Sequence, residues 1–65
     1  MNSDEESALF RKHGWVYDYI GRKWDSPTGT FISIDDVMEM TETPGGEQVI
    51  MDMIVQQGVE EATDG

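Results

Sequence analysis

Basic and aromatic side chains are concentrated in one short segment, residues 11–24, of an otherwise acidic chain. This segment holds all four lysines and arginines, both tryptophans, both tyrosines and the single histidine. Cations that contact phosphates, placed among rings that stack on bases, can bind single-stranded nucleic acid, and each stacked base contributes about 1–3 kcal/mol. The residues that would carry such binding are Arg11, Lys12, Arg22, Lys23 and Trp24.

The overall charge favours a protein partner over nucleic acid as the direct ligand. Aspartate and glutamate number 14 and the net charge is −10, which repels nucleic acid at long range and favours basic partners. The same surplus also keeps a small protein soluble. The aromatic rings of residues 11–24 have an alternative role as the core, because a small domain needs most of its aromatic side chains to bury enough area.

A second candidate surface is acidic and comprises Asp35, Asp36, Glu39 and Glu42. Carboxylates at a helix start are stabilised by the helix dipole, and they also attract a basic partner. Our leading hypothesis is a non-enzymatic protein-binding module, an adaptor or an inhibitor. In its sharper form the carboxylates imitate the phosphate charges of nucleic acid and occupy a basic cleft. An inhibitor encoded by a phage or another mobile element would fit this description.

The residues that enzymatic chemistry needs are scarce in this chain. Cysteine is absent and His13 is the one imidazole, which excludes cysteine-based and multi-histidine zinc sites. His13 lies beside two cations at a predicted helix end, where it suits a capping role. No G-x-S-x-G stretch is present, and Gly45-Gly46 is not followed by the lysine of a phosphate-binding loop. We therefore expect no catalytic residue, no metal and no cofactor.

The hydropathy pattern predicts a soluble, cytoplasmic protein without a membrane partner. No apolar run approaches the about 20 residues that a membrane-spanning helix needs. The first residues, MNSDEES, do not resemble a signal or transit peptide. The absence of cysteine fits a reducing compartment.

These candidate residues must be positioned by a single small α+β domain, because 65 residues allow no more than one. A short N-terminal helix is predicted over residues 4–13. Ser3 and Glu6 form its capping box, and Gly14 suits the position after its end. Residues 1–3 and 59–65 are predicted to be solvated, flexible ends.

Residues 15–33 predict a three-stranded antiparallel meander. The β-branched and aromatic residues 15–20 form the first strand, with Trp15, Tyr17 and Tyr19 on one face. A two-residue type II′ turn at Gly21-Arg22 leads to a second strand from Lys23. Residues 26–29, Ser-Pro-Thr-Gly, predict a further turn before a third strand over residues 30–33. The cations of this hairpin are expected to pair with acids on neighbouring elements.

One or two helices follow the meander. Ser33 is the predicted N-cap of a helix over residues 34–41, in which Val37, Met38 and Met40 are partly buried. Residues 47–58 are ambiguous. Their length favours a helix, whereas a strand would place four apolar side chains on one face and leave a βββαβ core. Two alternative hypotheses therefore accompany the leading one. The first is a nucleic-acid-binding module that uses residues 11–24, and the second is a homo-oligomer that associates through residues 47–58, with Met51 and Val55 in the contact.

Overall fold

The computed structural model describes residues 3–60, which form one helix, a three-stranded sheet and two further helices. The predicted order of a short N-terminal helix, an antiparallel meander and two helices is thereby confirmed, and the strand alternative for residues 47–58 was wrong. Residues 1–2 and 61–65, which include most of the predicted flexible ends, lie outside the described residues. The elements are α1 (Ser3–Lys12), β1 (Val16–Asp18), β2 (Lys23–Asp25), β3 (Phe31–Ser33), α2 (Ile34–Glu42) and α3 (Gly46–Gln57).

Helix α1 has the charge order that its dipole favours, with acids in its first turn and Arg11 and Lys12 in its last. It ends one residue earlier than predicted. Gly14 then adopts a φ of +86°, a left-handed conformation that glycine accepts without the steric cost of a β-carbon. This turn carries the chain from α1 into β1.

The three strands follow one another in the order β1-β2-β3, and all pairs are antiparallel. Tyr17, Trp24 and Ile32 are aligned across the strands. Because side chains alternate between the faces of a sheet, these three share the face that packs on the core. Val16 and Phe31 flank the sheet on its other face and are 66% and 63% exposed.

The turn between β1 and β2 differs from the predicted type II′ turn. Four residues, 19–22, connect the strands, and Arg22 rather than Gly21 has the positive φ, at 54°. The reason is Asp18, whose Oδ1 accepts hydrogen bonds from the backbone N–H groups of Ile20 and Gly21, each at 3.0 Å. The bond from Gly21 is the main cause that holds the pKa of the Asp18 carboxyl below its usual range.

The predicted turn at residues 26–29 is confirmed. The Gly29 N–H donates to the carbonyl of Ser26 at 3.3 Å, and Gly29 has a φ of +94°. The Thr28 hydroxyl donates to the carbonyl of Gln57 at 2.9 Å. The turn is thereby attached to the last residue of α3.

The predicted N-cap of α2 is also confirmed. The Ser33 hydroxyl accepts a hydrogen bond from the backbone N–H of Asp36 at 3.2 Å, which satisfies one of the unpaired donors of the first turn. Helix α2 ends one residue later than predicted. It buries Val37 completely.

Aromatic rings from α1 and the sheet form the centre of the core. The Phe10 ring stacks on Trp24, with centroids 4.5 Å apart and planes 3° from parallel, and meets Trp15 edge to face at 5.2 Å. Trp15 Nε1 donates to the carbonyl of Ile54 at 3.0 Å. The prediction that the hairpin aromatics are core residues is confirmed for both tryptophans. Tyr19, which lies beyond the end of β1, is instead 78% exposed.

His13 joins the start of the sheet to the last described residues of the chain. The Val59 N–H donates to the carbonyl of His13 at 2.9 Å, and His13 Nδ1 lies 2.7 Å from the carbonyl oxygen of Val59. His13 is buried. The imidazole therefore hydrogen-bonds Val59 rather than a carbonyl of α1, whereas the backbone N–H of His13 donates to the α1 carbonyls of Leu9 and Phe10. Val59 is thereby held against the domain.

Glu6 gives the stability of the fold a dependence on pH. Burial raises the pKa of its carboxyl, and the nearby charge of Glu47 on α3 raises it further. The folded state therefore holds the proton more tightly than the unfolded state, so stability falls as the pH rises above about 4.3, the usual glutamate pKa. We expect Glu6→Gln to increase the free energy of unfolding at pH 7 and to have little effect at pH 4.

Urea unfolding of the wild type and of Glu6→Gln at both pH values measures this difference. Glu60→Gln is the control, because Glu60 is exposed beyond the end of α3. A Glu6→Gln effect of the same size at pH 4 and pH 7 would contradict the assignment.

Candidate functional site

The four predicted acidic site residues lie together on the solvent side of α2, and we call this row the acidic stripe. Asp35, Glu39 and Glu42 follow the i, i+4, i+7 spacing of one helix face, and Asp36 lies beside them. All four are exposed. The opposite side of α2 faces the core with Val37, which fixes the orientation of the stripe toward solvent.

The charges of the acidic stripe are not neutralised within the described chain. No lysine or arginine of residues 3–60 forms an ion pair with any of its four carboxylates. Lys23 instead approaches Asp25, its neighbour on β2, at 4.0 Å. The expected pairing of hairpin cations with acids on neighbouring elements is thus not found on α2, and the stripe presents four negative charges to solvent.

Met38 adds an apolar contact point to the acidic stripe. It is 55% exposed, although the sequence predicted that it is partly buried. Met38 lies three residues after Asp35 and four before Glu42, so it belongs to their face of the helix rather than to the face of Val37. A flexible, polarisable thioether adapts to the surface of a partner.

The predicted nucleic-acid-binding residues are not assembled on one surface. Trp24 is 3% exposed, and a buried ring cannot stack on a base. Lys23 precedes it on β2 and therefore points to the other face of the sheet, where its Nζ lies 4.6 Å from the centroid of the Phe31 ring. Arg22 is exposed in the turn before β2. Arg11 and Lys12 are exposed at the end of α1.

The apolar residues of α3 are used mainly within the chain. Ile50 and Ile54 are fully buried, and Met51 is half-buried. Val55 is 51% exposed. Beside it on the solvent side, the Gln48 amide donates to Asp52 Oδ1 at 3.0 Å. Of the two residues predicted for an oligomer contact, Val55 is thus exposed beside a polar pair and Met51 is partly covered within the chain.

A groove that the sequence reasoning did not identify follows the outer edge of β1. It has a volume of about 280 Å³. Tyr17 and Tyr19 meet edge to face in it, with centroids 4.8 Å apart. The alternation of aromatic residues in WVYDY was the available signal, but the sequence left open whether residues 47–58 would add a further strand to the sheet. The groove is lined by Arg11, Trp15, Val16, Tyr17 and Tyr19, and we call it the β1-edge groove.

Residues 3–60 contain no helix with the length and apolar character to cross a membrane. Within the same residues, no three potential metal ligands cluster closely enough to hold an ion. Comparison with protein-family models, with curated proteins and with solved structures finds no match for this chain. Its function is therefore inferred from residues and geometry alone.

Proposed function

We propose that this protein is a non-enzymatic binding module whose acidic stripe occupies a basic cleft of a partner protein. The observation that carries the proposal is the row of four exposed carboxylates on α2, none of which pairs with a cation of residues 3–60. The concentrated negative field of α2 steers a basic partner to this surface. The carboxylates attract the partner electrostatically, and Met38, which lies within the row, adds an apolar contact with it.

The spacing of the acidic stripe supports imitation of a nucleic-acid strand. From Asp35 to Glu42 the helix advances about 10 Å, at 1.5 Å per residue. Measured along the duplex axis, four successive phosphates of one DNA strand also extend over about 10 Å, at 3.4 Å per step. The stripe and the strand thus carry the same number of charged groups over the same axial length. An inhibitor of a nucleic-acid-binding protein is the role that this match favours.

Neutralising the stripe tests the proposal. The variant carries Asp35→Asn, Asp36→Asn, Glu39→Gln and Glu42→Gln. The immobilised wild type first retains its partner from a nuclease-treated lysate of the source cell, and the purified partner is then titrated with each variant. If each charge contributes about 0.5–1 kcal/mol, the affinity falls by about 30-fold or more.

A matched control separates the stripe from the overall charge. Asp4→Asn, Glu60→Gln, Glu61→Gln and Asp64→Asn change two aspartates and two glutamates outside α2. Circular dichroism establishes that both variants are folded. Equal losses of affinity in the two variants would contradict a role for the stripe. A partner that duplex DNA does not displace would contradict the imitation of nucleic acid but not the protein-binding role.

A further inference from the structure

The hydrogen-bond pattern of the sheet determines which backbone groups of β2 face each neighbour. The Ser26 N–H donates to the carbonyl of Thr30 at 2.8 Å, and the Ile34 N–H donates to the carbonyl of Arg22 at 2.9 Å. Antiparallel strands alternate between hydrogen-bonded and non-hydrogen-bonded pairs. Residues 22 and 26 thus form hydrogen-bonded pairs with the β3 side, and so does Trp24, which lies two residues from each. The backbone groups of Lys23 and Asp25 therefore point to β1.

The same alternation leaves the backbone of Tyr17 without a partner in the sheet. Val16 and Asp18, aligned with Asp25 and Lys23, form the hydrogen-bonded pairs with β2, so the N–H and C=O of Tyr17 point away from β2. On the same side, the Trp15 N–H is satisfied by the carbonyl of Phe10 at 2.9 Å. Tyr17 has no corresponding backbone partner among residues 3–60. A donor and an acceptor thus face outward at the strand edge.

The β1-edge groove surrounds this unpaired donor and acceptor. Tyr19, 78% exposed, forms an aromatic wall with Tyr17. Arg11 provides the positive charge of the groove. An aromatic wall, a cation and an unpaired strand edge are together the features that bind an extended peptide by strand addition.

We propose that the β1-edge groove binds an extended peptide segment that pairs with Tyr17 and carries a carboxylate side chain opposite it. A residue paired with Tyr17 has its side chain on the same face of the sheet. This is the face on which α1 packs, because Phe10 stacks there on Trp24. The carboxylate thereby comes within reach of Arg11, and a hydrogen bond between two charged groups is stronger than one between neutral groups.

An extended peptide fits the groove better than the other candidate ligands. A nucleic-acid strand has no backbone that complements an N–H and C=O pair at the edge of a sheet. A second copy of this chain would bring together two proteins that each carry a net charge of −10. The acidic stripe is on α2, which follows β3 at the opposite edge of the sheet, so either surface can be tested while the other is intact.

The test is a nuclear magnetic resonance titration of the ¹⁵N-labelled full chain with the peptide acetyl-Thr-Val-Glu-Val-Thr-amide. We expect saturable shifts of the amide resonances of Tyr17 and Tyr19. A peptide with lysine in place of the central glutamate should bind about tenfold more weakly, because it loses the charge-assisted bond to Arg11. N-methylation of the central residue should weaken binding about fivefold or more, because it removes the N–H that donates to the Tyr17 carbonyl.

Two neighbouring cations provide a matched pair of variants. Arg11→Gln should weaken binding of the glutamate peptide by about tenfold and remove the preference over the lysine peptide. Lys12→Gln makes the same change of charge one residue away, outside the groove lining, and should change the affinity less than about twofold.

Equal binding of the glutamate and lysine peptides would overturn the proposal, as would binding that N-methylation leaves unchanged. Shifts of Tyr17 that appear with increasing protein concentration alone would assign the edge to a second copy. Tighter binding of an oligothymidine that loses affinity in Tyr19→Ala would assign the groove to nucleic acid. Each of these results excludes the acidic peptide as the occupant.

Discussion

Replacing Phe10 by alanine is expected to leave a large fraction of the protein molecules unfolded at 25 °C. Phe10 is 0% exposed, stacks on Trp24 and meets Trp15 edge to face. Removal of a buried phenylalanine side chain costs about 3–5 kcal/mol. A domain of 65 residues has a total stability of about 3–10 kcal/mol, at about 0.05–0.15 kcal/mol per residue. Urea unfolding followed by tryptophan fluorescence measures the loss.

The other phenylalanine of the chain is the matched control. Phe31 is 63% exposed on the outer face of the sheet, where its ring contacts Lys23. We expect Phe31→Ala to cost less than about 1 kcal/mol. Phe10→Leu, which keeps apolar volume but loses two ring contacts, should cost about 1–3 kcal/mol and remain folded. A Phe10→Ala cost no larger than that of Phe31→Ala would contradict the assignment of the core.

Replacing Gly46 by alanine is expected to cost about 3 kcal/mol or more, because overpacking against backbone cannot be relieved by a rotamer change. Gly46 is the first residue of α3 and is buried. A β-carbon on it would collide with the carbonyl oxygen of Met40 in α2, and would lie 2.7 Å from the carbonyl carbon. In an unobstructed helix the same change stabilises by about 1 kcal/mol. A loss of stability in Gly46→Ala therefore indicates the close contact between α2 and α3, and a gain of stability indicates that the contact is absent.

The preceding glycine distinguishes collision from backbone strain. Gly45 has a φ of +81°, and a β-carbon there would have nothing within 4 Å. Gly45→Ala should therefore cost about 1–2 kcal/mol, the strain of a left-handed residue alone. Urea midpoints and circular dichroism of the two variants give the comparison. Greater stability of Gly46→Ala than of Gly45→Ala would show that α2 and α3 do not approach each other so closely.

Local patterns predicted the elements of this fold because the interactions that begin and end them are local. The Ser33 N-cap and the glycine after α1 both have the predicted conformations. The turn at Gly21-Arg22 was predicted wrongly, because the side chain of Asp18 reorganises the loop. The helix at residues 47–58 was ambiguous because several of its apolar residues contact distant elements, so its composition reflects packing as well as backbone preference.

The candidate sites were predictable to different degrees. The acidic stripe follows from four residues within one predicted helix, since helical spacing alone brings Asp35, Glu39 and Glu42 to one face. The sequence did not predict that Met38 is exposed, because tertiary contacts with the rest of the domain determine which face of α2 is buried. The basic and aromatic candidates were separated by the sheet, which places Trp24 inside and Lys23 outside.

The sequence by itself determined the composition of the surface: a net charge of −10, one basic and aromatic segment, and a helix that carries four acids. Only the tertiary structure decided that residues 47–58 add no strand beside β1, that Tyr17 lacks a backbone partner among residues 3–60, and that Arg11 lies beside it. The physical reason is that the state of residues 47–58 and the docking of α1 depend on contacts between residues distant in the chain. No local periodicity records such contacts.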